Sequence, residues 1–439
     1  SFLFLKEGVF MKVAVYTLGC KVNTYESEYV IKEFLKRGYT LTDFSDSNAD
    51  VYLINTCTVT NTSDQKSRKM IRQARAKNKD AVVVAMGCFT QIRNNDNQIM
   101  DFVDVVIGNK DKSKIVDLTE DYIKNKQKIS KIEDINEADF DDMEISYFNT
   151  RTRALVKIED GCENFCSYCI IPYVRGRVRS KRPEKVIEEA KRLVKNGYKE
   201  IVLTGIHTGH YGADLKDYDF SDLLLELEKI DGLDRIRISS IEITELNDKF
   251  LSVLRKSKKI VNHIHIPLQA GSDHILKLMN RKYDKKYYLD KINKIREIRP
   301  DMAFTTDVIV GFPLESDRDF NETIAFVKEI SFAGGHVFPY SRRNGTPAAK
   351  MTGQITKEEK HIRCKKLISV FDSLEEAYYK KHIGCTLTVI AETYEDGTLT
   401  GHTDNYLKVR FKGSEKLLGS EVNVKLIEYK DKMLFGEVE

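Results

Sequence analysis

Two series of short, unbroken apolar runs, each followed by an amphipathic stretch, restrict the chain to folds built on parallel sheets. In the first series "KVAVYTLGC" leads into "TYESEYVIKEFLKRG", "DVYLINTC" into "SDQKSRKMIRQARAK", and "AVVVAMGC" into a polar helical stretch before "FVDVVIG". A strand open to water on one face alternates apolar with polar residues. A run without that alternation belongs to a strand covered on both faces, as in parallel sheets flanked by helices. The second series starts at Arg151, with strands expected at "RALVKIED", "EIVLTGIH", "RIRISSIE", "HIHIPLQA", "FTTDVIVGF" and "GHVFPYS". Helical spacing fills the gaps, as in Val186, Ile187, Ala190, Leu193 and Val194. About six units fall short of the eight of a closed barrel. They imply a partial (β/α)6 barrel whose open side admits a large substrate.

At 439 residues the chain exceeds one core, since single cores stop growing near about 250–300 residues. The expected class is α/β with three folded parts. An N-terminal parallel α/β domain covers 11–130, the partial barrel 151–381 and a small β-barrel 382–439. The last is read from "CTLTVIAETY", "LTGHTDNYLKVRF", "EVNVKLIEY" and "KMLFGEVE". Between the first two lies "KIEDINEADFDDMEIS", with seven acidic residues and one lysine, read as an exposed acidic linker over 131–150. Met11 reads as the native start, with the first ten residues upstream of it. No apolar run approaches the roughly 18 residues of a membrane helix, so a cytoplasmic protein without membrane contact is expected. The net charge of +4 is too small to argue for nucleic acid by itself.

Eight cysteines at low density point to metal rather than disulfides in a cytosolic chain. Cys162, Cys166 and Cys169 form a C-x3-C-x2-C array in "EDGCENFCSYC", with no fourth cysteine or histidine close by. Three thiolates and a vacancy suit a [4Fe–4S] cluster with one open iron. A structural zinc site completed by a distant residue is the alternative. The array follows the first barrel strand, which places it at the mouth where barrel active sites lie. Cys20, Cys57 and Cys88 each end an expected strand of the first sheet. An open parallel sheet gathers such ends at one edge, and Cys20 also precedes a helix whose dipole favours a thiolate. The alternative for these three is burial as small hydrophobes. Cys364 and Cys385 have no such placement and are read as structural.

The C-x3-C-x2-C array at a partial-barrel mouth resembles the radical S-adenosylmethionine enzymes. That resemblance implies that the open iron is chelated by S-adenosylmethionine, whose reductive cleavage leaves a 5′-deoxyadenosyl radical. It implies a cofactor site lined by Gly205 of "LTGIHTG", Ser239, Ser240 and Glu242 of "ISSIE", Gln269 of "HIPLQAGSD", and Val310 and Gly311 of "VIVGFP". With the N-terminal cysteines and the β-rich tail, the chain from Met11 onward is similar to the methylthiotransferases. In that family the N-terminal triad holds a second [4Fe–4S] cluster that carries sulfur, and the tail is a TRAM domain. The motifs "YTLGCKVNTYES", "HIPLQAGSD" and "YSRRNGTPAAKM" look most like the branch acting on N6-threonylcarbamoyladenosine in tRNA. The implied reaction is methylthiolation of adenine C2 next to the anticodon, with one S-adenosylmethionine as methyl donor and another as radical source. The C2–H bond is neither acidic nor set up for displacement, so a radical route suits it. An electron donor such as flavodoxin or ferredoxin and a monomeric state complete the expectation. Two alternatives stay open: a methylthiotransferase acting on another tRNA adenosine or a ribosomal protein side chain, and a non-catalytic, zinc-stabilised RNA-binding protein. One departure from the family pattern is Leu314 in "GFPLESD", where a glycine commonly follows the proline.

Two basic stretches suit RNA phosphate: "QKSRKMIRQARAKNK", with seven Lys/Arg, and "VRGRVRSKR", with five. The second contains Arg175, Arg177 and Arg179 beside the cysteine array; a solvated helix face is the plainer reading of the first. In "NYLKVRF", Tyr406, Lys408 and Arg410 alternate with Leu407, Val409 and Phe411, which predicts a stacking and charged face over an apolar one.

Overall fold

The computed structural model describes residues 10–92, 97–148 and 152–439. Residues 1–9 of the upstream stretch, and the join at 149–151 between acidic segment and barrel, lie outside the described residues.

The N-terminal part is a six-stranded, wholly parallel sheet ordered β2-β1-β3-β4-β5-β6. Its strands are β1 (Lys12–Thr17), β2 (Thr40–Thr42), β3 (Val51–Thr56), β4 (Val82–Gly87), β5 (Val105–Ile107) and β6 (Ile129–Lys131). Every residue of β3 and β4 is buried. Val51, Leu53, Val82 and Val84 pack with Val30 and Phe34 of helix α1 (Lys21–Lys36). Tyr52, Ile54, Val83 and Ala85 pack with Ile71 and Ala74 of helix α2 (Asn61–Lys77) on the other face. That two-sided burial is why the runs lack alternation. The edge strands β2 and β6 were not expected, because "TLT" and "ISK" carry no apolar run.

The central part holds six parallel strands: β7 (Ala154–Lys157), β10 (Glu200–Thr204), β11 (Arg235–Ile238), β12 (His263–His265), β13 (Ala303–Val310) and β14 (Gly334–Pro339). A short pair, β8 (Glu159–Asp160) and β9 (Arg179–Ser180), flanks the cysteine array. The order runs β7-β10-β11, then β12-β13-β14, with a single parallel bridge between Ile236 and Ile260 joining the halves. Among the described residues β7 and β14 do not pair, so the barrel is open on that side. Along β13 the even-numbered Phe304, Thr306, Val308 and Val310 are buried, while Thr305, Asp307 and Ile309 are only partly covered. This period of two places Thr305 and Asp307 on the lumen.

The tail forms a closed barrel, β15-β16-β17-β19-β18, from Thr386–Glu395, Thr398–Thr403, Lys408–Lys412, Glu421–Lys430 and Met433–Val438, with β15, β16, β17, β18 and β19 in chain order. Leu407, Val409 and Phe411 point into its core, as their alternation predicted.

The acidic segment is not the exposed linker its charge suggested. Its carboxylates are spaced by Ile135, Met143, Ile145 and Phe148, which are buried, the last three in the barrel's core. Tyr25 Oη and Lys181 Nζ both donate to the Met143 carbonyl, and the Ile145 N–H donates to Glu189. Leu314 holds a left-handed φ of +69°, a conformation that glycine adopts freely and that costs other residues about 1–2 kcal/mol. The turn is held by the Leu314 N–H donating to the Gly353 carbonyl.

Candidate functional site

Strands β1, β3 and β4 are neighbours in the sheet, and their carboxyl ends carry Cys20, Cys57 and Cys88. Glycine makes two of these turns. Gly19 and Gly87 precede Cys20 and Cys88 with φ of +109° and +107°, where only glycine sits without strain. A Cβ on Gly19 would lie 3.3 Å from that of Cys57, and one on Gly87 would lie 2.8 Å from the Thr56 carbonyl. The strand ends thus meet at backbone contact. Asn23 laces them together, its Nδ2 donating to the Leu18 and Thr56 carbonyls at 2.8 and 3.1 Å.

Arg175 is fully buried against this triad, with Nε 3.2 Å from Cys88 Sγ and an Nη donating to Asn23 Oδ1 at 2.8 Å. Its other Nη meets Glu26 at 3.1 Å and Asp160 at 2.9 Å. Lys157 bridges the same two carboxylates at 3.0 and 2.7 Å, and Lys112 pairs with Glu26. Three cations against two anions leave a buried surplus positive charge beside the thiols. Burial pushes the Glu26 carboxyl up, but Arg175, Lys112 and Lys157 prevail and hold it well below its usual range. The expectation that Arg175 and Arg179 bind RNA phosphate is therefore corrected. Arg179 is also buried and donates to the carbonyls of Arg175 and Arg177, which leaves Arg177 as the exposed member of the three. Composition alone cannot separate a basic stripe on the surface from one turned inward to meet acids.

Cys162, Cys166 and Cys169 lie in the loop between β8 and the helix Ile171–Arg175. Each sulfur has a nitrogen neighbour. Arg281 donates to Cys166 Sγ at 3.2 Å, the Ile171 N–H to Cys169 Sγ at 3.4 Å, and His207 Nδ1 lies 3.8 Å from Cys162 Sγ. All eight cysteines are free thiols. Burial pushes the thiols of Cys57, Cys162 and Cys169 up, the last to about 12. A cationic metal centre is what returns such groups to thiolates. Converging sulfurs with N–H donors behind them fit two iron–sulfur clusters.

A cavity of about 1140 Å³ is lined by residues of all six barrel strands, by Cys20 and Lys21, and by Tyr406 and Lys408 of the tail. Gly205, Ser239 and Ser240 line it. A Cβ on Gly205 would lie 2.6 Å from Glu159 Oε2, so the position demands close approach. Glu242 pairs with Arg281, the residue that also donates to Cys166. Gln269, with φ of +65°, exchanges backbone bonds with Asp307 and Ile309. Val310 is buried in the barrel's core and Gly311 donates to Glu315; like Glu242 and Gln269, neither lines the cavity. Tyr406 is not part of strand β17; it precedes it in a left-handed turn and stacks on His263 and His402, with centroids 4.6 and 4.9 Å apart. Arg410 lies within β17 opposite Thr400, away from the cavity, while Lys408 reaches it. Asp307 pairs with His265 and His336 across the lumen at 3.3 and 3.2 Å. Those histidines, Lys21 and Arg281 escaped the sequence reading because nothing in their local spacing marks them.

Residues 12–108 match the uncharacterized protein family UPF0004, residues 156–327 the radical SAM superfamily and residues 381–438 the TRAM domain. Over 423 residues the chain is 47% identical to the threonylcarbamoyladenosine tRNA methylthiotransferase MtaB of Bacillus subtilis, covering 95% of this chain and 94% of that protein. It is 36% identical to a tRNA-2-methylthio-N(6)-dimethylallyladenosine synthase of Clostridium botulinum, covering 96% and 95%. Among solved structures, the radical S-adenosylmethionine methyltransferase TsrM from Kitasatospora setae superposes with a TM-score of 0.59 at 10% identity, over 83% of this chain and 89% of that one, a likeness of fold.

Proposed function

The chain belongs to the radical S-adenosylmethionine methylthiotransferase family, and we propose that it methylthiolates C2 of N6-threonylcarbamoyladenosine next to the anticodon of tRNA. The observation that carries this reading is the cavity that touches Cys20, the barrel lumen and the tail at once. Cys162, Cys166 and Cys169 are the proposed ligands of the barrel cluster, and Cys20, Cys57 and Cys88 those of the N-terminal one. When bound, the clusters and S-adenosylmethionine supply the radical, the sulfur and the methyl group. The chain's own work is placement. The lumen walls exclude water, Arg281 and Arg175 orient sulfurs, and Gly205, Ser239, Ser240, Glu242 and Gln269 frame the cofactor's side. Tyr406, stacked against His263 and His402, holds the tail's edge at the cavity, where Lys408 stands beside it. A monomer in the cytoplasm, reduced by flavodoxin or ferredoxin, completes the proposal; among the described residues no helix is long and apolar enough to cross a membrane.

Nucleoside analysis of tRNA from cells with and without the protein tests this. The 2-methylthio derivative of N6-threonylcarbamoyladenosine is expected to disappear in the deletion. Its persistence without a redundant enzyme, or loss of the dimethylallyl derivative instead, overturns the reading.

Arg177 stands exposed beside the barrel triad. Arg177→Gln is expected to weaken tRNA binding and to lower the slope of log affinity against log salt by about one unit, measured by filter binding over a salt series. Arg179→Gln is expected to leave that slope unchanged, because its guanidinium is already spent on backbone carbonyls.

A further inference from the structure

We propose that His207, His210 and Glu245 form a further metal site, one that holds a single zinc ion beside the barrel triad. The site is independent of which nucleoside the enzyme modifies.

Two neighbouring loops build it. One follows β10, where the His207 N–H donates to Glu159 at 2.7 Å and the His210 N–H closes a 3-10 turn on the His207 carbonyl at 2.9 Å. Such a turn eclipses positions three apart, and the two imidazoles stack with centroids 4.0 Å apart. The other loop follows β11 and ends its own short turn, Ile243–Glu245, at the carboxylate. Gly209 lets the loops meet, since a Cβ there would lie 2.6 Å from Glu245 Cγ. That approach delivers Glu245 Oε1 to 3.5 Å from His207 Nε2 and 3.3 Å from His210 Nε2. The three ligand atoms all lie within 4.8 Å of one another.

The donor set asks for a cation. His207 is 4% exposed, and its buried Nε2 makes no hydrogen bond, a deficit that protein interiors rarely leave standing. Among the described residues Glu245 pairs with the two histidines and with no lysine or arginine. Two imidazoles and a carboxylate are donors that zinc takes at about 2.0–2.1 Å, which sets tetrahedral ligand atoms about 3.3 Å apart. The two carboxylate-to-nitrogen distances already stand near that edge. At such donors zinc outranks ferrous iron, so an iron-loaded enzyme still selects it. His210, with 36% of its side chain open to solvent, gives the ion its way in and leaves room for a water as fourth ligand.

Zinc at this place does two things. It ties the loop that carries Gly205 to the loop that carries Ser239, Ser240 and Glu242. It also fixes the His207 proton on Nδ1, the nitrogen 3.8 Å from Cys162 Sγ, because a metal on Nε2 leaves only the other nitrogen to carry hydrogen.

The test loads both clusters first, so that the cysteines are occupied, then dialyses the holoenzyme against Zn2+ and back into zinc-free buffer. Wild type is expected to keep about one zinc per chain, with nitrogen and oxygen alone around it at about 2.0–2.1 Å in zinc-edge X-ray absorption. His210→Ala and Glu245→Gln, both at partly exposed positions, are expected to keep their iron. Each is expected to lose more zinc affinity than the about 10- to 100-fold that an outer-sphere partner is worth. Saturating zinc is expected to raise the thermal transition of wild type and of neither variant. Sulfur in the zinc shell, at about 2.3 Å, overturns the proposal, since the ion would then sit on a cysteine triad. So does equal retention of zinc by wild type and both variants, or retention by none. Loss of iron in either variant also overturns it, by making the residue a support of the barrel cluster.

Discussion

A protein with Cys20, Cys57 and Cys88 replaced by alanine is expected to cleave S-adenosylmethionine to 5′-deoxyadenosine under strong reductant, to hold about half the wild-type iron, and to form no methylthio product. Replacing Cys162, Cys166 and Cys169 is expected to abolish the cleavage itself. The separation follows from where the sulfurs stand. One triad rests on three adjacent strand ends of the N-terminal sheet, with Cys20 at the cavity, and the other on a loop of the barrel. Iron content and chromatography of both products check the expectation. Methylthiolation by the first variant would make its three cysteines structural. Arg175 keeps Glu26 and Asp160, and Arg281 keeps Glu242, when the cysteines beside them are replaced, so a folded variant is expected in each case, and circular dichroism verifies it.

What the sequence disclosed and what it withheld divide along one line. Strand ends are legible because a parallel sheet converts a one-dimensional pattern, apolar run then cysteine, into a shared edge. The glycines before Cys20 and Cys88 sharpen that signal, since both are needed for the turn. All six barrel strands were found for the same reason. Arg175 shows the opposite case. Its sequence context is a basic stripe, and its fate depends on Asp160, across the cysteine loop in β8, and on Glu26, distant in sequence and brought in by the docking of two domains. Tyr406 was assigned to a strand face because its neighbours alternate, whereas a left-handed turn swings it over the cavity. Periodicity reports local faces; it carries no information about which distant charges will meet, or about a residue that leaves its strand.

That docking also yields the largest stability effect expected. Glu26 is fully buried and one of its oxygens, Oε1, serves Lys112, Lys157 and Arg175 together. With Glu26 and Asp160 present, three cations face two anions; Glu26→Gln leaves three facing one. Removing one partner of a buried ionic group costs about 3–5 kcal/mol, since the stranded charge has no water to return to. Glu26→Gln is therefore expected to lower the first thermal transition, and to lower it further in the protein stripped of iron, where no anionic cluster offsets the excess positive charge. Sign matters for pH as well. Because the folded protein holds the Glu26 carboxyl below its ordinary value, its stabilisation is present above that value and is lost as pH falls towards the depressed one. Wild type should thus lose stability on acidification over a range where Glu26→Gln, having no carboxyl to protonate there, loses less. Parallel acid melts of the two proteins check this, and equal losses would remove Glu26 from the account of how the N-terminal sheet and the barrel hold the two triads in fixed relation.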